Sequence, residues 1–269
     1  MGAYLAAGID GSRTHPATVD LATDEAVRRG VPLLLLHCWP GRYRRRAPMP
    51  AESDARRLLE SAALRARSRA PGLPVSTELL TGDPVALLAG RTERAELLVI
   101  GHRDEGPGRP GWGTTAARLA RDCRCPLLVR RGGADRRGPV VVAVSGQDGS
   151  AETVRQAFDE ARLTGSRLVA VHVWAPGNED RRAAQRRLTE TVAACARLCP
   201  EVPVEPLVVP ELEFAYTLDR ASRRGRLLVA GTGRRGRLSL LLARAGLPPA
   251  RTAQSPILLV PALAAISGR

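Results

Sequence analysis

Five glycines fall in the thirteen residues from Gly101 through Gly113 of the run Gly101-His-Arg-Asp-Glu-Gly106-Pro-Gly108-Arg-Pro-Gly111-Trp-Gly113-Thr114-Thr115. The run follows an apolar strand and opens a helix. Amides at a helix N-terminus point at an incoming anion, and glycines let phosphate come close. Thr114 and Thr115 can donate to its oxygens, although spacing alone leaves open a plain loop with a threonine cap. A second candidate is Ile9-Asp10-Gly11-Ser12, where Asp10 suits either a ligand contact or a turn. Other chemistries find little support. There is no Gly-x-Ser-x-Gly elbow, and a Walker Gly-Lys-Ser/Thr is impossible in a chain without lysine. Cys123-x-Cys125 and Cys195-x-x-x-Cys199 form no zinc pattern with the four scattered histidines. No catalytic or metal site is expected. The five cysteines, an odd count, read as reduced thiols of a cytoplasmic protein. His37 and His172 read as packing or hydrogen-bonding groups, and His102 lies in the glycine loop. Gly231-Thr-Gly233-Arg-Arg-Gly236 spells a dinucleotide fingerprint, but no acid follows it and one strand remains.

The elements that would position these residues are written twice. Gly30-Val-Pro-Leu-Leu-Leu-Leu-His37-Cys-Trp39 returns 135 residues later as Gly165-Ser-Arg-Leu-Val-Ala-Val-His172-Val-Trp174. Asp24-Glu25-Ala26 returns at the same offset as Asp159-Glu160-Ala161. Leu97–Gly101 returns as Leu227–Gly231, and Pro126–Val129 as Pro256–Val260. Such a period is far too long for a solenoid unit, so the chain is two copies of one domain. We divide it into a first domain at 1–131, a linker at 132–138 and a second domain at 139–269. Within copy one, apolar strands at 4–9, 32–38, 75–80, 96–100 and 126–130 alternate with helices at 14–29, 51–69, 84–91 and 114–122. That alternation predicts an α/β fold of two tandem, doubly wound, five-stranded parallel sheets.

Composition narrows the partners. Arginine supplies all 41 cations against 27 acids, a net charge of +14 that attracts polyanions without sequence preference. From Arg220 to Arg269 there are ten arginines and no acid. Aromatics make up only 3%, too few for base-stacking platforms, and no nucleic-acid-binding module is recognisable. No specific nucleic acid partner is expected. The longest apolar run, Ile257–Ile266, is too short to span a bilayer and holds Pro261, and no secretory signal is visible.

Gly8-Ile-Asp-Gly-Ser12, the strand Gly30–Trp39, Gly82-Asp-Pro84 and Gly101…Gly113-Thr114…Cys125-Pro-Leu-Leu-Val129 together resemble a universal stress protein domain. The resemblance covers essentially the whole chain as a tandem pair. It implies the adenine nucleotide alpha hydrolase-like strand order 3-2-1-4-5. It also implies ATP, with or without Mg²⁺, held by Ile9 and Asp10, Cys38, Ile100 and Gly101, and Gly113, Thr114 and Thr115. At most slow ATP hydrolysis is implied, with homodimerisation and an unidentified signalling partner. Two departures stand out in copy one. Asp104 occupies the place of the family's second glycine, and the loop to Gly113 is one residue short. A carboxylate there repels triphosphate unless Arg103, Arg109 or a Mg²⁺ ion offsets it. Copy two departs further. Ser145 replaces the strand-one Asp, Ala243-Arg244-Ala245 replaces Gly113-Thr114-Thr115, and Pro248-Pro249 breaks the fourth helix. The resulting expectation is a stress-response regulator binding nucleotide in its first domain only. The alternative is a nucleotide-free scaffold acting through dimerisation and protein contacts.

Overall fold

The structure, a computed structural model, describes residues 3–39, 51–102, 114–131, 137–144, 150–174, 180–210, 217, 220, 224–232 and 255–261. They divide into two compact units, one from the chain up to Arg130 and one from Arg131 onward. The first unit alternates β1 (Tyr4–Gly8), α1 (His15–Arg29), β2 (Leu33–Trp39), α2 (Glu52–Arg69), β3 (Val75–Thr81), α3 (Pro84–Arg91), β4 (Ala95–Gly101), α4 (Thr114–Asp122) and β5 (Leu127–Arg130). Each boundary lies within about a residue or two of its expected place, the usual scatter of element ends.

Local chemistry accounts for the punctuation. Gly30 ends α1 in the left-handed region at φ 66°, and its N–H bonds back to the last turn. Asp83 caps α3 by accepting the Ala86 N–H at 3.1 Å, with Pro84 pre-set for the first turn. The strands are near-continuous apolar runs because helices cover both faces of the sheet. Leu5, Leu33, Leu35, Leu36, Leu97, Leu98 and Leu127 are all fully buried. β1 pairs in parallel with β2 on one side and β4 on the other, β3 lies beyond β2, and β5 beyond β4. The order is therefore 3-2-1-4-5, and it reverses around β1. Ligands of such sheets bind beyond the carboxyl ends of the strands at that reversal.

The second unit holds β6 (Val140–Val144), α5 (Ser150–Thr164), β7 (Leu168–Trp174), α6 (Arg181–Leu198), β8 (Val204–Pro210), β9 (Leu227–Gly231) and β10 (Ile257–Val260). β6 lies between β7 and β9, with β8 and β10 outside them, so its internal order repeats that of the first. Phe158 on α5 is the largest fully buried side chain; aliphatic residues make up most of both cores.

The acids of the repeated Asp-Glu-Ala stretch take different partners in the two units, and only in the first do they join one helix to another. Arg65 forks onto Asp20 with two bonds of 2.7 Å, and Arg69 onto Asp24 at 2.5 and 3.0 Å, tying α2 to α1. In the second unit Asp159 instead accepts from Arg155 on its own helix at 3.0 Å. The following glutamates are buried in both units. Glu25 pairs with Arg28 and with Arg29 at 3.4 Å, and Glu160 accepts from Gln156 at 3.2 Å.

Candidate functional site

β1 ends between two longer neighbours. Gly8 lies level with Leu36 of β2 and with Ile100 of β4, so residues 9 and 10 emerge where the three strand ends meet. A Cβ on Gly8 would lie 3.3 Å from the side chains of both Ile100 and Leu88, so glycine leaves room for them to pack over the strand end. Ile9 is buried and donates its N–H to the Leu36 carbonyl at 2.8 Å. Asp10 is exposed, and its Oδ1 accepts the Ser12 N–H at 3.0 Å. This Asx turn passes through Gly11 at φ +72°, a conformation that favours glycine. Both roles weighed for Asp10 therefore remain compatible: it shapes the turn and stands at the mouth of the crevice.

The second strand contributes His37 and Cys38. A carbonyl only accepts, so His37 Nδ1 carries the proton it gives to the Ile9 oxygen at 2.6 Å. His172 makes the same bond to the Val144 oxygen at 3.1 Å. Both histidines are thus hydrogen-bonding residues. Burial pushes the half-buried Cys38 thiol up to about 11, and the nearby Asp83 carboxylate adds to the effect. Cys123 and Cys125 are buried and pushed up to about 12, again mainly by burial. Thiols so far above neutral pH carry almost no thiolate, which disfavours nucleophilic chemistry at these positions. Among the described residues no group of three or more His, Cys, Asp and Glu side chains could hold a metal ion.

The fourth strand brings Ile100, buried, and Gly101, half-buried, to the same edge. A Cβ on Gly101 would lie 2.8 Å from Thr18 Oγ1, closer than real Cβ contacts. Gly231 meets Thr153 Oγ1 in the same way at 2.7 Å. This glycine–threonine contact escaped the sequence reading, although its signal is there: Thr18 and Thr153 also recur at the offset of 135. The helix expected at 114 begins at Thr114, with Thr115 exposed in its first turn. The structure therefore gathers Ile9, Asp10, Cys38, Ile100 and Gly101, and places Thr114 and Thr115 at the start of the next helix. Gly113, Asp104, Arg103 and Arg109 lie outside the described residues, as does the side chain of Thr114. In the second unit Ser145, Gly233, Gly236, Ala243, Arg244, Ala245, Pro248 and Pro249 lie outside them too.

Among the described residues no helix is long and apolar enough to cross a membrane. A model of the universal stress protein family matches residues 5–131 and 137–198. A universal stress protein of Mycolicibacterium smegmatis is 29% identical over 280 aligned residues, covering 94% of this chain and 95% of the relative. One from Mycobacterium tuberculosis is 32% identical over 206 residues, covering 74% of this chain and 77% of the relative. Among solved structures, a universal stress protein from Archaeoglobus fulgidus superposes with a TM-score of 0.71 at 14% identity. That match covers 96% of each chain and shows the shared fold.

Proposed function

This chain belongs to the universal stress protein family, and from that premise we propose that it is a cytoplasmic stress-response regulator whose first unit binds ATP. The observation carrying this reading is the convergence of Ile9-Asp10, Cys38 and Ile100-Gly101 at three adjacent strand ends, with a helix starting at Thr114 after the third. Adenosine sits over the strand ends, against Asp10 and the backbone around Cys38. The phosphates lie at the amide-rich start of α4, where the helix dipole favours negative charge. Mg²⁺ coordinated by the phosphates would offset the carboxylate of Asp104. Ser145, Ala243 and Arg244 remove both halves of this arrangement from the second unit. The reading includes no catalytic residue and at most slow hydrolysis. The chain works as a homodimer that passes the nucleotide state to a signalling protein.

The replacement of the family glycine by Asp104 favours a second reading, a nucleotide-free scaffold acting through dimerisation. Two substitutions at Asp10 separate the readings. Asp10→Asn keeps an oxygen for the Ser12 N–H and removes the charge; Asp10→Ala removes both. Loss of a charged hydrogen-bond partner typically costs about 1.5–3 kcal/mol, so Asp10→Ala is expected to weaken ATP binding roughly ten- to a hundredfold. Asp10→Asn is expected to keep the melting temperature and to weaken binding less. A scaffold instead shows only a lower melting temperature in Asp10→Ala and no ATP binding in any variant.

A further inference from the structure

The third strands of the two units differ at the positions whose backbone faces away from the sheet. In a parallel ladder the N–H and C=O of one residue face the same neighbour, and the side they face alternates along the strand. The Pro74 carbonyl accepts the Leu33 N–H at 2.9 Å, and the Gly82 N–H reaches the Trp39 carbonyl at 3.2 Å. Even-numbered residues of β3 therefore face β2, while Val75, Thr77, Leu79 and Thr81 face away. Among the described residues β3 pairs with β2 alone, and Arg67 covers the Val75 carbonyl at 3.0 Å. The open edge is thus Thr77, Leu79 and Thr81, with both threonines exposed and the leucine half-buried. β8 is the counterpart in the second unit, where the Pro203 carbonyl accepts the Leu168 N–H at 2.8 Å. Its outward residues are Val204, Pro206, Val208 and Pro210. Aligned from Val75 and Val204, the two strands place Pro206 at the position of Thr77 and Pro210 at that of Thr81. Proline has no N–H to give, and on an outer strand it blocks a further strand. The outer strands on the other side of each unit are buried, β5 from Leu127 to Val129 and β10 from Ile257 to Val260.

We infer that the edge of β3 is the surface through which two copies of this chain associate, β3 pairing antiparallel with β3 of the second copy. In the register that sets Leu79 opposite Leu79, Thr77 of each copy meets Thr81 of the other, and these outward residues exchange both of their backbone bonds. Glu78 then meets Leu80 and not its own copy, so no like charges are opposed. It keeps its bond from Arg91 Nε at 3.0 Å. A second copy suits this edge because the strand is complementary to itself. It also lies in a stretch, residues 70–90, that holds no arginine in a chain of net charge +14 that otherwise repels its own copy. Thr77 and Thr81, the partners in this register, are the two positions that proline takes in β8, so the second unit cannot pair in the same way. Two-fold pairing uses up the open edge of both copies, and assembly ends at two. The inference rests on the homodimer proposed above and is independent of the nucleotide.

Light scattering of the full chain at micromolar concentration is expected to give twice the chain mass of 28.7 kDa. Thr77→Pro copies Pro206: it removes an outward donor and leaves the ladder to β2 intact. It is expected to halve the measured mass with an unchanged circular dichroism spectrum, since β8 shows that the fold accepts proline there. Thr81→Pro, which copies Pro210, is expected to do the same and serves as the second variant if the first does not fold. Leu79→Cys is expected to form a covalent dimer with a short thiol-reactive crosslinker, above the level seen in the unaltered chain, because residues opposed in a bonded pair have Cα atoms about 5.5 Å apart. A dimer that persists in the folded proline variants, or that Leu79→Cys does not link, overturns the inference and leaves the homodimer to another surface. A monomeric unaltered chain overturns the inference and the homodimer together, and leaves the edge to an extended segment of another protein.

Discussion

Gly113→Val is expected to abolish ATP binding, weakening it by more than roughly a hundredfold, while circular dichroism and the melting temperature stay close to those of the unaltered chain. The expectation follows from where α4 starts. The helix begins at Thr114, so residue 113 is the last position before its first turn. The first amides of a helix have no carbonyl partners of their own and are the donors a phosphate group can use. A branched side chain immediately before them keeps phosphate at a distance, and several charge-assisted bonds are lost together. Circular dichroism and the melting temperature check that the fold survives the change. Asp104→Gly is expected to act in the opposite direction and tighten binding, since it removes a negative charge beside the phosphates. A Gly113→Val chain that binds ATP as well as the unaltered one would place the phosphates elsewhere.

Gly101→Ala is expected to act on stability, although the family resemblance gives this glycine to the nucleotide. Its missing Cβ faces the buried Thr18 Oγ1 at 2.8 Å, and the next nearest atoms are 3.9 Å away. Forcing a methyl group into that gap is overpacking, which typically costs about 1–3 kcal/mol. Gly231→Ala is expected to cost a similar amount, because Thr153 stands in the same relation at 2.7 Å. The contact thus recurs in the unit whose sequence has lost the phosphate motif, so it serves strand-to-helix packing. Thr18→Ala removes the offending oxygen, leaving the Cβ of residue 18 at 3.9 Å. In the Gly101→Ala background it is therefore expected to restore most of the stability, a coupling above about 1 kcal/mol in a double-mutant cycle followed by urea unfolding. Equal stability of Gly101→Ala and the unaltered chain would show that the helix shifts away freely.

The sequence carried the framework of the fold because it states each element in two ways. Leu33–Leu36 and Leu97–Ile100 are continuous apolar runs of strand length, and their counterparts 130 or 135 residues on repeat them. Gly30 and Asp83 mark a helix end and a helix start through chemistry that acts within a few residues. Ile9, Asp10, Cys38, Ile100 and Gly101 could be named as a group because ligands of a doubly wound sheet gather at its carboxyl edge. Contacts that depend on tertiary placement were harder to read. That Thr18 on α1 fills the space beside Gly101 depends on how the helix lies across the sheet, which periodicity does not contain. Likewise, Asp24 and Asp159 repeat in sequence but serve different partners, because Arg69 on α2 reaches the first and Arg155 on α5 the second.

The number of nucleotide sites per chain separates a regulator with one active unit from a scaffold most directly. Titration calorimetry of the full-length chain with ATP and Mg²⁺ is expected to give one site per chain, and the heat is expected to vanish in Gly113→Val. Two equivalent sites would show that Ser145, Ala243 and Arg244 do not disable the second unit. No binding by the unaltered chain, with none gained in Asp104→Gly, would contradict the nucleotide reading and leave the scaffold.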